Sequence, residues 1–197
     1  ERIRGGEFNK KAPLTLTLPA STPPPSVLPP LPHNLPTEFS AFVGRTVELQ
    51  QLQRQLQDPT CRLLTITGLG GVGKTRLALA TAQAMVASNT TLFPAGIWFV
   101  ALAGLEAVDQ VENRLATTIA ESLQIPLSGG APTTQLIQAL YDKALLLVLD
   151  NFEQLAVATP LIGALLQGAR RVKLLVTSRS RLNIRGEQVV SLAGLAL

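Results

Sequence analysis

A chain of 197 residues with 46% hydrophobic content can bury one core and little more. Its net charge of +4, from 17 basic and 13 acidic residues, is scattered along the sequence. No basic face marks a nucleic-acid surface, so charge names no partner. One cysteine, Cys61, excludes an internal disulfide and points to a reducing compartment. With one histidine, His33, beside it, a zinc cluster and Ser-His-Asp or Cys-His catalysis have too few residues. Chemistry is left to carboxylates, Lys, Arg, backbone amides and a bound metal ion.

Nine of the 14 prolines fall between Pro13 and Pro36. Residues 1–35 therefore read as a disordered Pro-rich linker in extended polyproline conformation, with His33 solvated in it. Its prolines and threonines make a poor signal-peptide core. The apolar stretch Leu92 to Leu105 contains Pro94 and two glycines and is too short to span a bilayer. A cytoplasmic location without membrane contact is expected. The first residue is Glu, not Met, so an excerpt from a longer protein is expected.

The texture changes after Phe39. Thr46 to Gln57 carries Leu49, Leu52 and Leu56 at helical spacing and ends at Asp58-Pro59. Arg62 to Thr67 is a short β-branched strand, followed by a glycine-rich turn and an alanine-rich helix from Lys74 to Ser88. Ala95 to Leu102, Ala144 to Leu149, Val172 to Thr177 and Gln188 to Leu192 read as further strands. Helices are expected over Val108 to Leu123, Thr133 to Asp142 and Phe152 to Gln167. Apolar strands alternating with helices imply an α/β fold with a parallel sheet covered on both faces. Ligands in such sheets bind at the carboxyl ends of the strands.

Gly68-Leu69-Gly70-Gly71-Val72-Gly73-Lys74-Thr75 matches G-x-x-x-x-G-K-[ST] in full. The glycines let successive amide N–H groups turn inward onto a phosphate, and the following helix aims its N-terminal dipole at the same anion. Lys74 adds a charge for the β- and γ-phosphates, and the Thr75 hydroxyl is placed to hold Mg²⁺. Leu145-Leu146-Leu147-Val148-Leu149-Asp150 is an apolar strand ending in an acid, the Walker B pattern, with Asp150 as metal carboxylate. Position 151 is Asn, where many hydrolysing relatives carry a second acid. Glu153 lies nearby as a substitute, or as an ordinary first-turn Glu favoured by the helix dipole. The strand Val172 to Thr177 runs into Ser178-Arg179-Ser180-Arg181, and an Arg there can report a γ-phosphate.

In this order the motifs resemble the STAND class of signalling ATPases (signal transduction ATPases with numerous domains), close to the NB-ARC group, over residues 36–197. Phe42 to Glu48 looks like the class's hhGRxxE segment, which implies that Val43, Gly44 and Arg45 pack against adenine. Thr177-Ser178-Arg179 looks like its sensor strand end, which implies Arg179 and not Arg181 as the γ-phosphate reader. The resemblance implies a three-layer α/β/α sandwich with a five-stranded parallel sheet. It implies ATP, ADP and Mg²⁺ as ligands, held by Gly68, Leu69, Gly70, Gly71, Val72, Gly73, Lys74, Thr75 and Arg76. It further implies Lys74, Asp150 and Arg179 at the reacting phosphates, with Thr75 and Asp150 at the metal. Family members add a helical and a winged-helix domain; the sequence stops short of both. The expected function is an ADP-off, ATP-on switch with slow hydrolysis in a multidomain regulator, working with other domains of its chain and by ATP-dependent self-assembly. A steady-turnover ATPase and a non-hydrolysing nucleotide-binding module are the alternatives.

Overall fold

A computed structural model describes residues 30–37, 44–88, 90–105 and 109–194. Five strands form one parallel sheet: β1 (Leu63–Thr67), β2 (Ile97–Ala101), β3 (Leu145–Asp150), β4 (Val172–Ser178) and β5 (Glu187–Ser191). Their order across the sheet is β2-β3-β4-β1-β5, so β4 separates the two strands that carry the glycine loop and Asp150. The register pairs Thr67 with Ser178 on one side and Ser191 on the other, and Ala101 with Asp150. All five carboxyl ends thereby open on the same edge of the domain.

Side-chain alternation sorts the strands' residues to two faces. Leu145, Leu147 and Leu149 join one core with Val172, Leu174 and Val176. That face is covered by α3 (Val111–Ser122), α4 (Pro132–Leu140) and α5 (Thr159–Gly168). Leu146, Val148 and Leu175 point the other way, onto α1 (Thr46–Gln57) and α2 (Lys74–Ala87). Helix α1 reaches the core through Leu52 and Leu56, spaced one turn apart. Helix α2 presents Ala78 and Ala82, both fully buried, whose small side chains admit close packing on the sheet. The architecture is the expected α/β/α sandwich.

One expected helix is two elements. Residues 152–167 divide into a 3₁₀ turn, Phe152–Ala158, and α5, with Leu155 outside helical backbone angles. Pro160 is the cause: it has no N–H to donate to the carbonyl of Ala156. The Thr159 hydroxyl takes that carbonyl instead, at 2.5 Å.

The linker also ends earlier than expected. His33 is exposed, as a linker residue should be, but its backbone bridges Ile97 in parallel. The amide of Ile97 donates to the Pro32 carbonyl at 2.9 Å. Asn34 acts as a neighbouring strand would: its Oδ1 accepts from the Phe99 amide at 2.6 Å and its Nδ2 donates to the Phe99 carbonyl at 2.9 Å. Leu31 is buried against Phe93 and Ile97, with Leu35 packed at the margin of that core. Residues 31–35 thus belong to the domain and cover the open edge of β2.

Removing Leu31 therefore has a cost that a solvated linker would not carry. Leu31→Ala is expected to destabilise the domain by about 2–3 kcal/mol, or roughly 5–10 °C in Tm. Calorimetry of this variant beside Pro30→Ala, whose exposed ring should change Tm by under about 2 °C, checks the boundary.

Candidate functional site

The glycine loop leaves β1 at Gly68, where the chain passes so close to the exit of β5 that only glycine fits. A Cβ there would lie 2.7 Å from the Leu192 carbonyl oxygen. The loop closes at Gly73, whose left-handed backbone (φ 95°) caps the N-terminus of α2. Gly71 and Gly73 have open space where a side chain would stand, and a Cβ on Gly70 would come near only Arg179 Nη2, 4.0 Å away.

Lys74 is buried, and its ammonium donates to the carbonyls of Gly68 and Leu69 at 2.8 and 2.9 Å. Two of its three N–H donors are thus held by the loop, and the charge is fixed within it. Thr75 Oγ1 donates to Asp150 Oδ1 at 2.7 Å. The same oxygen accepts from Thr177 Oγ1 at 2.5 Å, and Thr177 Oγ1 in turn accepts from the amide of Asn151 at 3.0 Å. Asn151 has the left-handed backbone (φ 63°) that this return requires, which Asn tolerates better than most residues. Sequence reasoning took Thr177 only as part of a strand end; its place beside Asp150 comes from β4 lying next to β3, an order that spacing does not reveal.

Arg45 and Gly44 lie at the entrance to α1, both with positive φ. The Arg45 side chain is 7% exposed and committed to protein: to Glu48 Oε1 at 3.3 Å, the Val72 carbonyl at 3.1 Å and the Ala193 carbonyl at 2.8 Å. It ties the phosphate loop to the start of α1 and to the chain leaving β5. Val43 lies outside the described residues. Leu69 is exposed on the loop, Val72 is half-buried, and Arg76 is exposed on the first turn of α2. Arg179 follows β4 directly, is 70% exposed, and pairs through Nε with Glu153 Oε1 at 3.2 Å. Arg181 is also exposed and lines a cleft of about 360 Å³ with Thr67, Ser180 and Ser191.

A second cleft, about 370 Å³, lies beyond the opposite ends of the strands, around Arg62, Gly163 and Gly186. There the Arg62 guanidinium is spent on the carbonyls of Leu166, Ala169 and Val172, closing the C-terminal end of α5. Burial, with Arg170 nearby, pushes its pKa down. The phosphate chemistry of the sequence gathers at the other end.

The donor set fits a phosphorylated ligand with a hard cation. The loop offers open space above flexible backbone, a fixed ammonium and a helix N-terminus. For a metal, the protein offers the Thr75 hydroxyl and the Asp150 carboxylate, and no cluster of three His, Cys, Asp or Glu exists among the described residues. That sparse set suits Mg²⁺, which keeps water and phosphate oxygens as its other ligands.

The family described as the AAA ATPase domain matches residues 41–177, more than half of the chain. An uncharacterized protein of Mycobacterium tuberculosis is 34% identical over 157 residues, covering 79% of this chain and 37% of that protein. The transcription activator GutR of Bacillus subtilis is 32% identical over 133 residues, covering 63% of this chain and 16% of the activator. The chain therefore spans well under half the length of these relatives. Among solved structures, a Signal Transduction ATPase with Numerous Domains (STAND) protein with a tetratricopeptide repeat sensor, from Pyrococcus horikoshii, aligns with a TM-score of 0.51 at 18% identity. It covers 85% of this chain and 25% of its own. A chain of Drosophila ORC bound to AT-rich DNA and Cdc6 aligns at 0.51 with 13% identity, over 76% and 55%. These two likenesses carry the fold. The chain belongs to the AAA ATPase domain family, as a nucleotide-binding P-loop ATPase module.

Proposed function

We propose that this domain is an ATP/ADP-responsive switch of the NB-ARC-like kind within a larger regulator, hydrolysing ATP slowly with Mg²⁺. The observation that carries the reading is the convergence of Lys74, Thr75, Asp150 and Arg179 at one edge of the sheet, from the start of α2, the end of β3 and the residue just past β4.

Each residue has a distinct task. The loop amides and Lys74 would hold the β-phosphate, with Lys74 reaching the γ-phosphate as well. Thr75 and Asp150 would hold Mg²⁺, which neutralises phosphate charge when bound. The 2.7 Å contact between them brings the two donors to one place. Thr177 keeps Asp150 in that orientation from the neighbouring strand. Arg179, close to Gly70, would meet the γ-phosphate that only ATP carries. Gly44 and Arg45 shape the edge of the loop, with the Arg45 side chain acting on the protein and not on the nucleotide.

Slow turnover is favoured by Asn151. It stands where a second acid would activate water, and its backbone is bound into the Thr177 contact. Regulatory use is favoured by the likeness to the activator GutR and the fold shared with a sensor-bearing STAND protein. Partners would then be other domains of the same chain and, in the ATP state, further copies of it. No helix among the described residues is long and apolar enough to cross a membrane.

Turnover separates the switch from its rivals. A switch should hydrolyse far below the roughly 10 per second typical of enzymes, on the order of the 10⁻² to 10⁻⁴ per second of unassisted switch GTPases. A rate of tens per second would mark a working ATPase, and none at all a pure binding module.

Two substitutions test the assigned roles. Asp150→Asn should abolish the strengthening of ATP binding by Mg²⁺ while leaving metal-free ADP affinity largely intact, as read by calorimetry with and without the metal. Arg179→Ala should weaken ATP by about ten- to a hundredfold and leave ADP unchanged, because a charge-assisted contact contributes about 1.5–3 kcal/mol. Arg181→Ala should alter neither affinity.

A further inference from the structure

We propose that Glu153 is a positioning residue that holds Arg179 against the phosphate loop and so sets how strongly the site prefers a nucleoside triphosphate to a diphosphate. The proposal rests on the reading of Arg179 as the γ-phosphate contact.

Arg179 has no restraint of its own. It lies just past the end of β4, its side chain is 70% exposed, and a free arginine spreads over many rotamers. Glu153 is the reverse. It stands on the 3₁₀ turn after β3, between Phe152 and Leu155, which are 1% and 0% exposed and pin that turn to the core. The Glu153 side chain is only 17% exposed. Its Oε2 is buried without a protein hydrogen-bond partner, and its Oε1 lies 3.2 Å from Arg179 Nε. A largely desolvated carboxylate on a pinned turn therefore faces an exposed cation, and the better-held member decides where the pair sits.

The edge of the guanidinium that is used matters. Glu153 takes the Nε side and leaves the two terminal nitrogens unengaged by it. Nη2 lies 4.0 Å from where a Cβ on Gly70 would stand, so the terminal end is near the phosphate loop. A carboxylate competing with phosphate would occupy that terminal fork. One held at Nε alone leaves the terminal fork for an incoming anion and reduces the rotamer freedom lost on binding. The benefit falls on ATP alone, because ADP lacks the group that Arg179 would meet.

The test is calorimetric titration of Mg–ATP and Mg–ADP into the full chain and its variants, each with its melting temperature. Glu153→Ala should lower the ATP-to-ADP preference about two- to fivefold, the range of a partly exposed ion pair, with ADP affinity unchanged. Glu153→Gln keeps an acceptor for Nε and should retain most of the preference. Glu153→Asp keeps the charge but withdraws it by one methylene and should lose the preference as Ala does. The Asp variant carries the test if Ala does not fold. In an Arg179→Ala background, Glu153→Ala should change the preference no further. A preference unchanged in Glu153→Ala and Glu153→Asp, or raised in Glu153→Ala, would overturn the positioning role while leaving Arg179 in place. If Arg179→Ala alone leaves the preference unchanged, the reading of Arg179 falls and this proposal with it.

Discussion

One oxygen of Asp150 joins the parts of this site. It accepts from Thr75 at the start of α2 and from Thr177 in β4, while its own residue ends β3. Three elements separated by up to a hundred residues are referred to a single acceptor in a buried setting, where an unmet hydroxyl or carboxylate would be costly. The strand order makes this possible, because β4 lies beside both β1 and β3. The glycine loop then has a fixed floor beneath the positive-φ positions Gly68, Gly71 and Gly73.

The loop is held from three other directions. Lys74 draws the carbonyls of Gly68 and Leu69 toward its ammonium. Arg45 takes the carbonyl of Val72, and the close pass of Leu192 over Gly68 closes the side toward β5. These contacts use carbonyls, which a phosphate cannot use, and leave the N–H side of the loop to an anion. Arg45, 7% exposed with backbone carbonyls around it, serves the shape of the loop.

Strands and most helices were legible in the sequence because buried parallel strands are continuous apolar runs and α1 has strict helical spacing. The helix Thr46–Gln57 matches its expected limits, ended by Asp58-Pro59. The division of 152–168 was less legible: Pro160 was visible, but the Thr159 hydroxyl that stabilises the break was not assigned a partner. The phosphate loop and Asp150 could be placed because each is local, a motif or a strand end. Thr177 against Asp150 and Glu153 against Arg179 depend on which strands are neighbours, and one sequence does not carry that information. The boundary at residues 31–35 was missed for a related reason. A proline-rich stretch looks like a spacer until an open sheet edge is found for its carbonyls and for Asn34 to satisfy.

That strap also fixes a distance. Residues 31–34 lie outside β2, at one margin of the sheet, and β5 lies at the other. At about 4.8 Å per strand, five spacings separate them, roughly 24 Å. Pro30 thus stands at one flank of the slab and β5 at the other. The sheet is then a slab that keeps these two positions apart. A rotation of the slab would swing the two points in opposite senses. The distance between those points stays constant while the directions in which the chain leaves them turn together.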